Sequence, residues 1–117
     1  MINNEFWKKI MELVGEHEII IDRKRGSLHP RRSDIVYPLD YGYLSGTSSM
    51  DGEGIDIWVG SLSEMILNGI ICTIDSYKMD SEVKIIVSCT DKELETVYDF
   101  VNSRGDMKGI FIKNTSL

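Results

Sequence analysis

A chain of 117 residues with a formal net charge of −6 has room for one hydrophobic core, and its acidic balance argues against nucleic-acid binding. Apolar residues make up 42% and charged residues 27% of the chain, which excludes intrinsic disorder, and no apolar run reaches the roughly 18 to 20 residues needed to cross a bilayer. We therefore expect a single domain over 1–117 that is cytoplasmic, forms a homo-oligomer, and has no nucleic-acid or membrane partner.

The first element predicted along the chain is a helix. Apolar residues recur at helical spacing between 6 and 14, Asn3 or Asn4 precedes them as a helix cap, and Gly15 follows as a helix stop. A β-branched run at 18–22 then predicts the first strand, which leads into a loop rich in arginine and lysine. The chain is thus expected to begin with a helix on the core, a strand and a basic loop.

Short strands dominate the middle of the chain. The strands predicted after the basic loop cover 37–44, 55–62, 70–77, 83–89 and 109–113. The first of these is rich in tyrosine and is interrupted by Pro38 and Gly42, which indicates an irregular strand with a bulge. Asn68 and Gly69 predict a turn, and the two strands that follow it are expected to form a hairpin.

A second helix is predicted towards the C-terminus. Thr90 and Glu93 have the spacing of a capping box, an apolar helical pattern follows them, and Gly105 is its expected end. Strands that are mostly neighbours in sequence, with one helix before and one after, favour antiparallel pairing. The expected fold class is mainly β (α+β): a small antiparallel five-stranded barrel of the OB type with two flanking helices.

Three carboxylates stand in a six-residue loop just before a predicted strand. Gly52 and Gly54 allow the backbone to turn tightly enough for Asp51, Glu53 and Asp56 to converge. Clustered oxygen ligands suit hard divalent cations such as Mg²⁺, and a pair of these ions catalyses phosphoryl transfer. Glu53, between the two aspartates, is the candidate general base for a water molecule. A solvated turn is the alternative interpretation of the same residues.

Tyrosines and arginines upstream of the acidic loop are candidates for binding an anion. Tyr37 and Tyr41 carry phenol groups that can donate to a phosphate oxygen, and amphipathic strand packing is the alternative. The planar guanidinium groups of Arg31 and Arg32 suit phosphate oxygens, although a solvated loop has the same composition. Lys84 lies in a predicted strand, either at the rim of the fold or directed into a site.

The segment YPLDYGYLSGTSSMDGEGIDIWVG, residues 37–60, resembles the family I soluble inorganic pyrophosphatases. Their signature has a Tyr-Pro-x-Asn-Tyr-Gly segment, a short loop, and Asp-Gly-Asp-Pro-x-Asp leading into an aliphatic strand. The resemblance implies hydrolysis of inorganic diphosphate to two phosphates with Mg²⁺ as the cofactor.

The resemblance also assigns roles to residues. The metal-binding positions it implies are Asp22, Asp51, Asp56, Asp80 and Glu82. The catalytic positions are Glu53, Tyr41 and Lys84, and the substrate-binding positions are Arg31, Arg32, Tyr37 and Lys84. Glu53 stands where the family has the aspartate that activates the nucleophilic water.

Departures from the family pattern define the alternatives. The chain is short for the family, Gly54 replaces a proline, Asp40 replaces an asparagine, and Asn102 and Ser103 stand where the family has a Tyr-Lys pair for the product phosphate. The alternative function is a catalytically weak domain that binds metal and phosphate or nucleotide ligands. Hydrolysis of another phosphoanhydride is a third possibility, since fewer phosphate-binding residues leave a wider pocket.

Overall fold

The computed structural model describes residues 1–116, and they form two helices and six strands. The elements are α1 (Asn4–Glu16), β1 (Ile19–Arg23), β2 (Asp40–Leu44), β3 (Ile55–Val59), β4 (Leu67–Asp75), β5 (Asp80–Val87), α2 (Asp91–Asn102) and β6 (Met107–Lys113). The mainly β fold class with two helices is confirmed. Neither of these two helices is long and apolar enough to cross a membrane.

The strands form one sheet in the order β1-β2-β3-β5-β4-β6. The predicted hairpin is confirmed as β4 and β5, which pair antiparallel from Asp75↔Asp80 to Leu67↔Val87. The sheet has six strands where five were expected, and β3 pairs parallel with β5. In the sheet, β5 lies between β3 and β4. Because β4 runs antiparallel to β5, the chain reverses direction between them, and β5 then runs parallel to β3. Over residues 1–116 the order ends at β1 and β6, which are edge strands, so the sheet is open where a closed barrel was expected.

The two helices belong to two apolar clusters on opposite faces of the sheet. Successive residues of a strand point to opposite faces, so Ile57 packs with the α1 residues, including Trp7, while Trp58 packs with the α2 residues, including Val97. The same alternation in β5 sends Ile85 to the α1 face and the next residue to the α2 face. Tyr37 and Tyr41 pack on the α2 face.

Helix α1 begins where the sequence predicts and ends slightly later. The side chain of Asn3 accepts a hydrogen bond of 3.0 Å from the Glu5 N–H, which confirms the cap. The helix continues through Gly15 to Glu16, so the predicted stop was wrong by about one residue. Phe6 remains 46% exposed, so the buried face of the helix is narrower than the apolar pattern suggests.

The predicted turn at Asn68 and Gly69 was wrong, because both residues lie inside β4. The Asn68 side chain donates to the Cys89 carbonyl at 3.0 Å and accepts from the Cys89 N–H at 2.8 Å. A bulge falls between Leu67 and Gly69, where a Cβ atom on Gly69 would clash with the Ile112 carbonyl. Asn68 therefore connects β4 to Cys89 by hydrogen bonds, and Gly69 allows the close approach of β6, so neither residue reverses the chain.

The bulge predicted in the tyrosine-rich segment lies in the partner strand instead. Strand β2 is regular and short, and the register shifts in β1 between Ile21 and Arg23. Gly42 sits opposite this region, and a Cβ atom on it would collide with the Ile20 carbonyl. The glycine thus permits a close approach of two backbones that a larger residue would prevent.

The free edge of β6 is partly covered by the end of α2. The Asn102 side chain accepts a hydrogen bond of 3.0 Å from the Gly109 N–H and donates one of 3.1 Å to the Gly109 carbonyl. Helix α2 ends at this asparagine, with Ser103 as its cap, three positions before the predicted Gly105. The asparagine fits the edge because its amide matches both polar groups of one backbone residue.

The capping box that begins α2 is confirmed and extends to a neighbouring loop. Thr90 accepts from the Glu93 N–H at 3.2 Å, and the Glu93 carboxylate accepts from the Thr90 N–H at 2.9 Å. The same carboxylate oxygen accepts two further hydrogen bonds from Ser61, at 3.2 Å from its N–H and 3.1 Å from its hydroxyl. Burial acts to raise the pKa of Glu93, but these hydrogen bonds lower it below the ordinary 4.5.

Glu93→Gln is therefore expected to lower stability at neutral pH and to flatten its pH dependence. A carboxyl group whose pKa is lower when folded stabilises the fold above its unfolded value, and that stabilisation is lost as the pH falls through the folded-state pKa. Urea unfolding at a series of pH values between neutral and acidic measures the effect. Glu95→Gln is the matched control, since Glu95 is exposed on the same helix and should leave the profile unchanged. Equal profiles for the two variants would contradict this role of Glu93.

Candidate functional site

Strand register brings three of the predicted site residues together on the α2 face of the sheet. Tyr41 is the partner of Trp58 across β2 and β3, and Ile57 is the partner of Ile85 across β3 and β5. Side chains alternate between the two faces along each strand, and these registers align the alternation of neighbouring strands. Tyr41, Asp56 and Lys84 therefore point to the same face of the sheet. Residues that are 15 and 28 positions apart in the chain therefore become neighbours across adjacent strands.

Lys84 is the centre of this group, which we call the Lys84 cluster: Lys84, Tyr41, Asp56 and Glu82. The Lys84 Nζ donates hydrogen bonds of 2.7 Å to Tyr41 Oη, 2.8 Å to Asp56 Oδ2 and 2.6 Å to Glu82 Oε2. An ammonium group has three N–H donors, so each of them has a partner. Lys84 is only 9% exposed, which makes this a desolvated ion cluster and not a surface salt bridge.

The electrostatics of the Lys84 cluster keep the lysine charged and the tyrosine neutral. Burial acts to lower the pKa of Lys84, but Tyr41, Asp56 and Glu82 raise it well above its ordinary value. Burial raises the pKa of Tyr41, and the nearby Asp56 charge raises it further. Burial and Asp56 also raise the pKa of Glu82, against the opposing effect of Lys84. The cluster thus holds two carboxylates around one cation.

The acidic loop leads directly into β3, which carries Asp56 of this cluster. Asp51 Oδ1 accepts hydrogen bonds of 2.7 Å from the Ser49 hydroxyl and 2.9 Å from the Glu53 N–H, and these bonds lower the pKa of Asp51. Glu82 and Lys84 contribute to the same lowering of the Asp51 pKa, and burial opposes it. Glu53 helps to close the loop through its backbone, since its carbonyl accepts from the Ser49 N–H at 2.6 Å. The Glu53 residue is exposed to solvent.

Several solved structures have a similar arrangement of strands and helices. An inorganic pyrophosphatase from Helicobacter pylori is 18% identical, with a TM-score of 0.51 and coverage of 83% of this chain and 75% of its own. An inorganic pyrophosphatase from Coxiella burnetii is 17% identical, with a TM-score of 0.50 and coverage of 85% and 77%. The chain has the fold of the inorganic pyrophosphatases. No family model matches it, and no curated protein matches its sequence.

The carboxylates of the Lys84 cluster and the acidic loop are the candidate ligands for a divalent cation. Across residues 1–116, no three His, Cys, Asp or Glu side chains are already arranged to hold a metal ion. The donor chemistry nevertheless fits Mg²⁺, because Asp51, Asp56 and Glu82 supply the hard oxygens that this ion prefers. Two of these carboxylates bind Lys84 instead. The residues therefore suit Mg²⁺, while their present arrangement is centred on an ammonium group.

Two of the predicted metal positions lie outside the Lys84 cluster. Asp22 is exposed in β1, and its nearest cation is Arg23, at 4.0 Å. Asp80 begins β5 opposite Asp75, at the end of the hairpin. Neither residue has a hydrogen bond to Lys84 in the part of the chain that the structure describes. Their assignment to a metal site remains a prediction.

The predicted anion-binding arginines differ in their surroundings. Arg32 donates to Asp34 through two nitrogens, at 3.3 and 3.0 Å, whereas Arg31 makes a hydrogen bond through its backbone N–H to His29. Both arginines are exposed. Arg32 is thus already paired with a carboxylate, and Arg31 is the better placed of the two to bind an added anion.

An aromatic stack joins the basic loop to the Lys84 cluster. Tyr37 stacks on His29 at 6.3 Å and on Tyr41 at 5.7 Å between ring centroids. Trp58 lies 4.6 Å from the Tyr41 ring and fixes it from the sheet. Burial lowers the pKa of His29, and Arg104 adds to this effect together with three arginines of the first half of the chain. Sequence reasoning missed Arg104 because it follows α2, far from the basic loop in the chain.

Proposed function

We propose that this protein hydrolyses inorganic diphosphate to two phosphates with Mg²⁺ as its cofactor. The observation that carries the proposal is the Lys84 cluster, in which a buried ammonium group lies within 2.8 Å of two carboxylates and a phenol. This cluster lies on a fold shared with inorganic pyrophosphatases and next to an acidic loop. Charged groups that are fixed in a desolvated site stabilise developing charge more strongly than the same groups in water.

Each residue of the site has a proposed role in this reaction. Lys84 binds a phosphate oxygen, and Tyr41 holds Lys84 in place and donates a hydrogen bond from its hydroxyl group to the substrate. Glu53 accepts the proton of the attacking water from its exposed position beside Asp51. Asp51, Asp56 and Glu82 would hold Mg²⁺, which supplies Lewis-acid activation of the phosphoryl group when it is bound. Asp22 and Asp80 complete the proposed metal-binding set from outside the Lys84 cluster.

The proposal includes the oligomeric state, the location and the partners of the protein. The protein acts as a single domain within a homo-oligomer in the cytoplasm, on a small-molecule substrate and without a nucleic-acid or membrane partner. Tyr37 connects the basic loop with the Lys84 cluster, because its ring stacks on both His29 and Tyr41. Anionic substrate is thus expected to meet the arginines first and the Lys84 cluster second.

A phosphate-release assay tests the proposed function. Diphosphate, triphosphate, ADP and ATP are each incubated with the protein, with and without millimolar Mg²⁺. The expected result is Mg²⁺-dependent release of phosphate from diphosphate in preference to the other three. Release from a nucleotide instead would assign another phosphoanhydride as the substrate. Binding of diphosphate with no release from any compound would favour the alternative, a catalytically weak domain that binds metal and phosphate.

Arg31→Ala is expected to raise KM for diphosphate by about tenfold or more, which corresponds to a charge-assisted contact of roughly 1.5 kcal/mol. Arg32→Ala is expected to have a smaller effect, because Arg32 is held by Asp34. Steady-state kinetics of the two variants make the comparison, and each serves as the charge-matched control for the other. Unchanged kinetics in both variants and in the double variant would remove this loop from the substrate-binding surface.

A further inference from the structure

We propose that this protein forms a symmetric dimer through the part of the sheet's α1 face that lies beyond α1, so that the partner is a second copy of this chain. The inference goes beyond the proposed reaction and names the contact surface of the proposed homo-oligomer. We call this surface the apolar patch, and it consists of Ile74, Tyr77, Met79, Val83, Ile110 and Ile112.

The apolar patch exists because three neighbouring strands are longer than the rest of the sheet. Strands β4, β5 and β6 have 9, 8 and 7 residues, whereas β1, β2 and β3 have 5 each. The apolar cluster under α1 includes Ile70 and Ile85, which pair across β4 and β5. Two positions farther along the same face, Cys72 pairs with both Val83 and Ile110. Helix α1 thus covers one end of these strands and leaves the other end exposed.

The side chains of the apolar patch are more exposed than core residues of a sheet. Ile74 and Ile110 are 63% and 62% exposed, and Tyr77 and Met79, in the connection after β4, are 81% and 87% exposed. The six side chains together expose roughly 700 Å², whereas the largest apolar patch of a typical monomer is about 300–600 Å². A stable interface buries about 800 Å² on each partner, so the apolar patch and a rim of neighbouring residues have the area of one dimer contact.

A groove beside the apolar patch provides the complementary shape. It has a volume of about 400 Å³ and lies between Met50 and the exposed ends of the long strands, with Cys72 among its lining residues. Tyr77 and Met79 protrude from the connection at the end of the same strands. In a dimer with a two-fold axis each copy presents the same surface, so the protruding residues of one copy enter the groove of the other, and the reverse. One chain thereby carries both halves of the contact.

The charges on this face favour a second copy over a charged partner. Lys108 shares the face with Ile110 and Ile112, and its Nζ donates to the Asn102 carbonyl at 2.9 Å. Its charge is therefore held at the end of α2 and not in the groove. Two apolar patches that meet bury no charged group without a partner, whereas an acidic or basic partner would lose the hydration of its charges without gaining an ion pair.

The face of the sheet is a better contact than its edge. The Asn102 amide already binds the N–H and the carbonyl of Gly109 in the middle of β6, so a strand of another molecule would have to displace it. Contact through the face leaves these hydrogen bonds in place. The expected dimer is thus two sheets packed face to face and not one sheet continued across two chains.

Sedimentation velocity at protein concentrations from about 1 to about 100 µM tests the dimer. The wild type is expected to change from monomer to dimer across this range. Ile110→Asp is expected to stay monomeric, with a dissociation constant raised at least about 100-fold, because two carboxylates would be buried at the centre of the contact. Leu28→Asp is the matched control, since Leu28 is 55% exposed in the basic loop outside the apolar patch and should dimerise like the wild type. A wild type that is monomeric throughout, or an Ile110→Asp protein that dimerises like the wild type, would overturn the inference.

Alkylation of Cys72 in the wild type keeps the test decisive if Ile110→Asp does not fold. The Cys72 thiol is half-buried in the groove, whereas Cys89 is buried. With N-ethylmaleimide in excess, the rate of modification of the Cys72 peptide, followed by mass spectrometry, is expected to fall as the dimer forms. A rate that stays constant while the protein dimerises would place the contact on another face and overturn the inference. Neither experiment measures turnover, so failure of the proposed hydrolysis in the phosphate-release assay and failure of this inference are separate results.

Discussion

Asp56→Asn is expected to lower kcat/KM for diphosphate by about 100-fold or more, the scale seen when one preorganised polar group is removed from an active site. Asp56 Oδ2 holds the Lys84 ammonium at 2.8 Å and belongs to the proposed Mg²⁺ ligands. The asparagine keeps the shape of the side chain but loses its charge, so both the position of Lys84 and the affinity for the cation suffer. Phosphate release at saturating Mg²⁺ over a range of diphosphate concentrations gives the comparison.

The control for this variant is Asp106→Asn, which removes the same charge from an exposed residue before β6. Its kinetics are expected to match those of the wild type. Circular dichroism and urea unfolding establish that Asp56→Asn is folded, which is expected because Glu82 still pairs with Lys84. A folded Asp56→Asn protein with wild-type activity would place the reaction elsewhere on the molecule.

Gly42→Ala is expected to destabilise the fold by roughly 3 kcal/mol or more, at the upper end of the range for overpacked positions. The added Cβ atom would collide with the Ile20 carbonyl, and the atoms in the way belong to the backbone of β1, which cannot rotate aside. Pairing of β1 with β2 would be disrupted, and Tyr41 in β2 would lose its position at Lys84. Urea unfolding measures the change in the free energy of unfolding.

Gly105→Ala is the matched control for the glycine substitution. No atom lies within 4 Å of a Cβ placed on Gly105, so its change is expected to stay within about 0.5 kcal/mol. If Gly42→Ala proves as stable as the wild type, the close approach of β1 and β2 described above does not hold in solution.

Local sequence signals predicted the helices and the hairpin. Thr90 and Glu93 define the start of α2 because a capping box acts over three residues, and Asn3 caps α1 in the same local way. The strands at 70–77 and 83–89 pair because only a short connection separates them. Each of these features depends on residues that are close in the chain, which is why a single sequence displays them.

The features that the sequence did not reveal depend on distant residues. The parallel pairing of β3 with β5 is a property of strand order, and no local pattern encodes it. Lys84 was recognised as a residue of the site or its rim, but its contacts with Tyr41 and Asp56 follow from that pairing. The turn predicted at Asn68 was wrong because asparagine is common in turns. Here its side-chain amide instead makes hydrogen bonds with the backbone of Cys89, which is distant in the chain.

The hydrogen bonds between Asn102 and Gly109 have a consequence for how these molecules meet one another. An edge strand offers unpaired N–H and carbonyl groups to strands of other molecules, and such pairing is a route to fibrillar assembly. At Gly109 both groups are already satisfied by a side chain of the same molecule, at 3.0 and 3.1 Å. A foreign strand approaching the middle of β6 would have to displace this amide and the end of α2. The helix that completes one apolar cluster thereby also limits the growth of the sheet beyond a single chain.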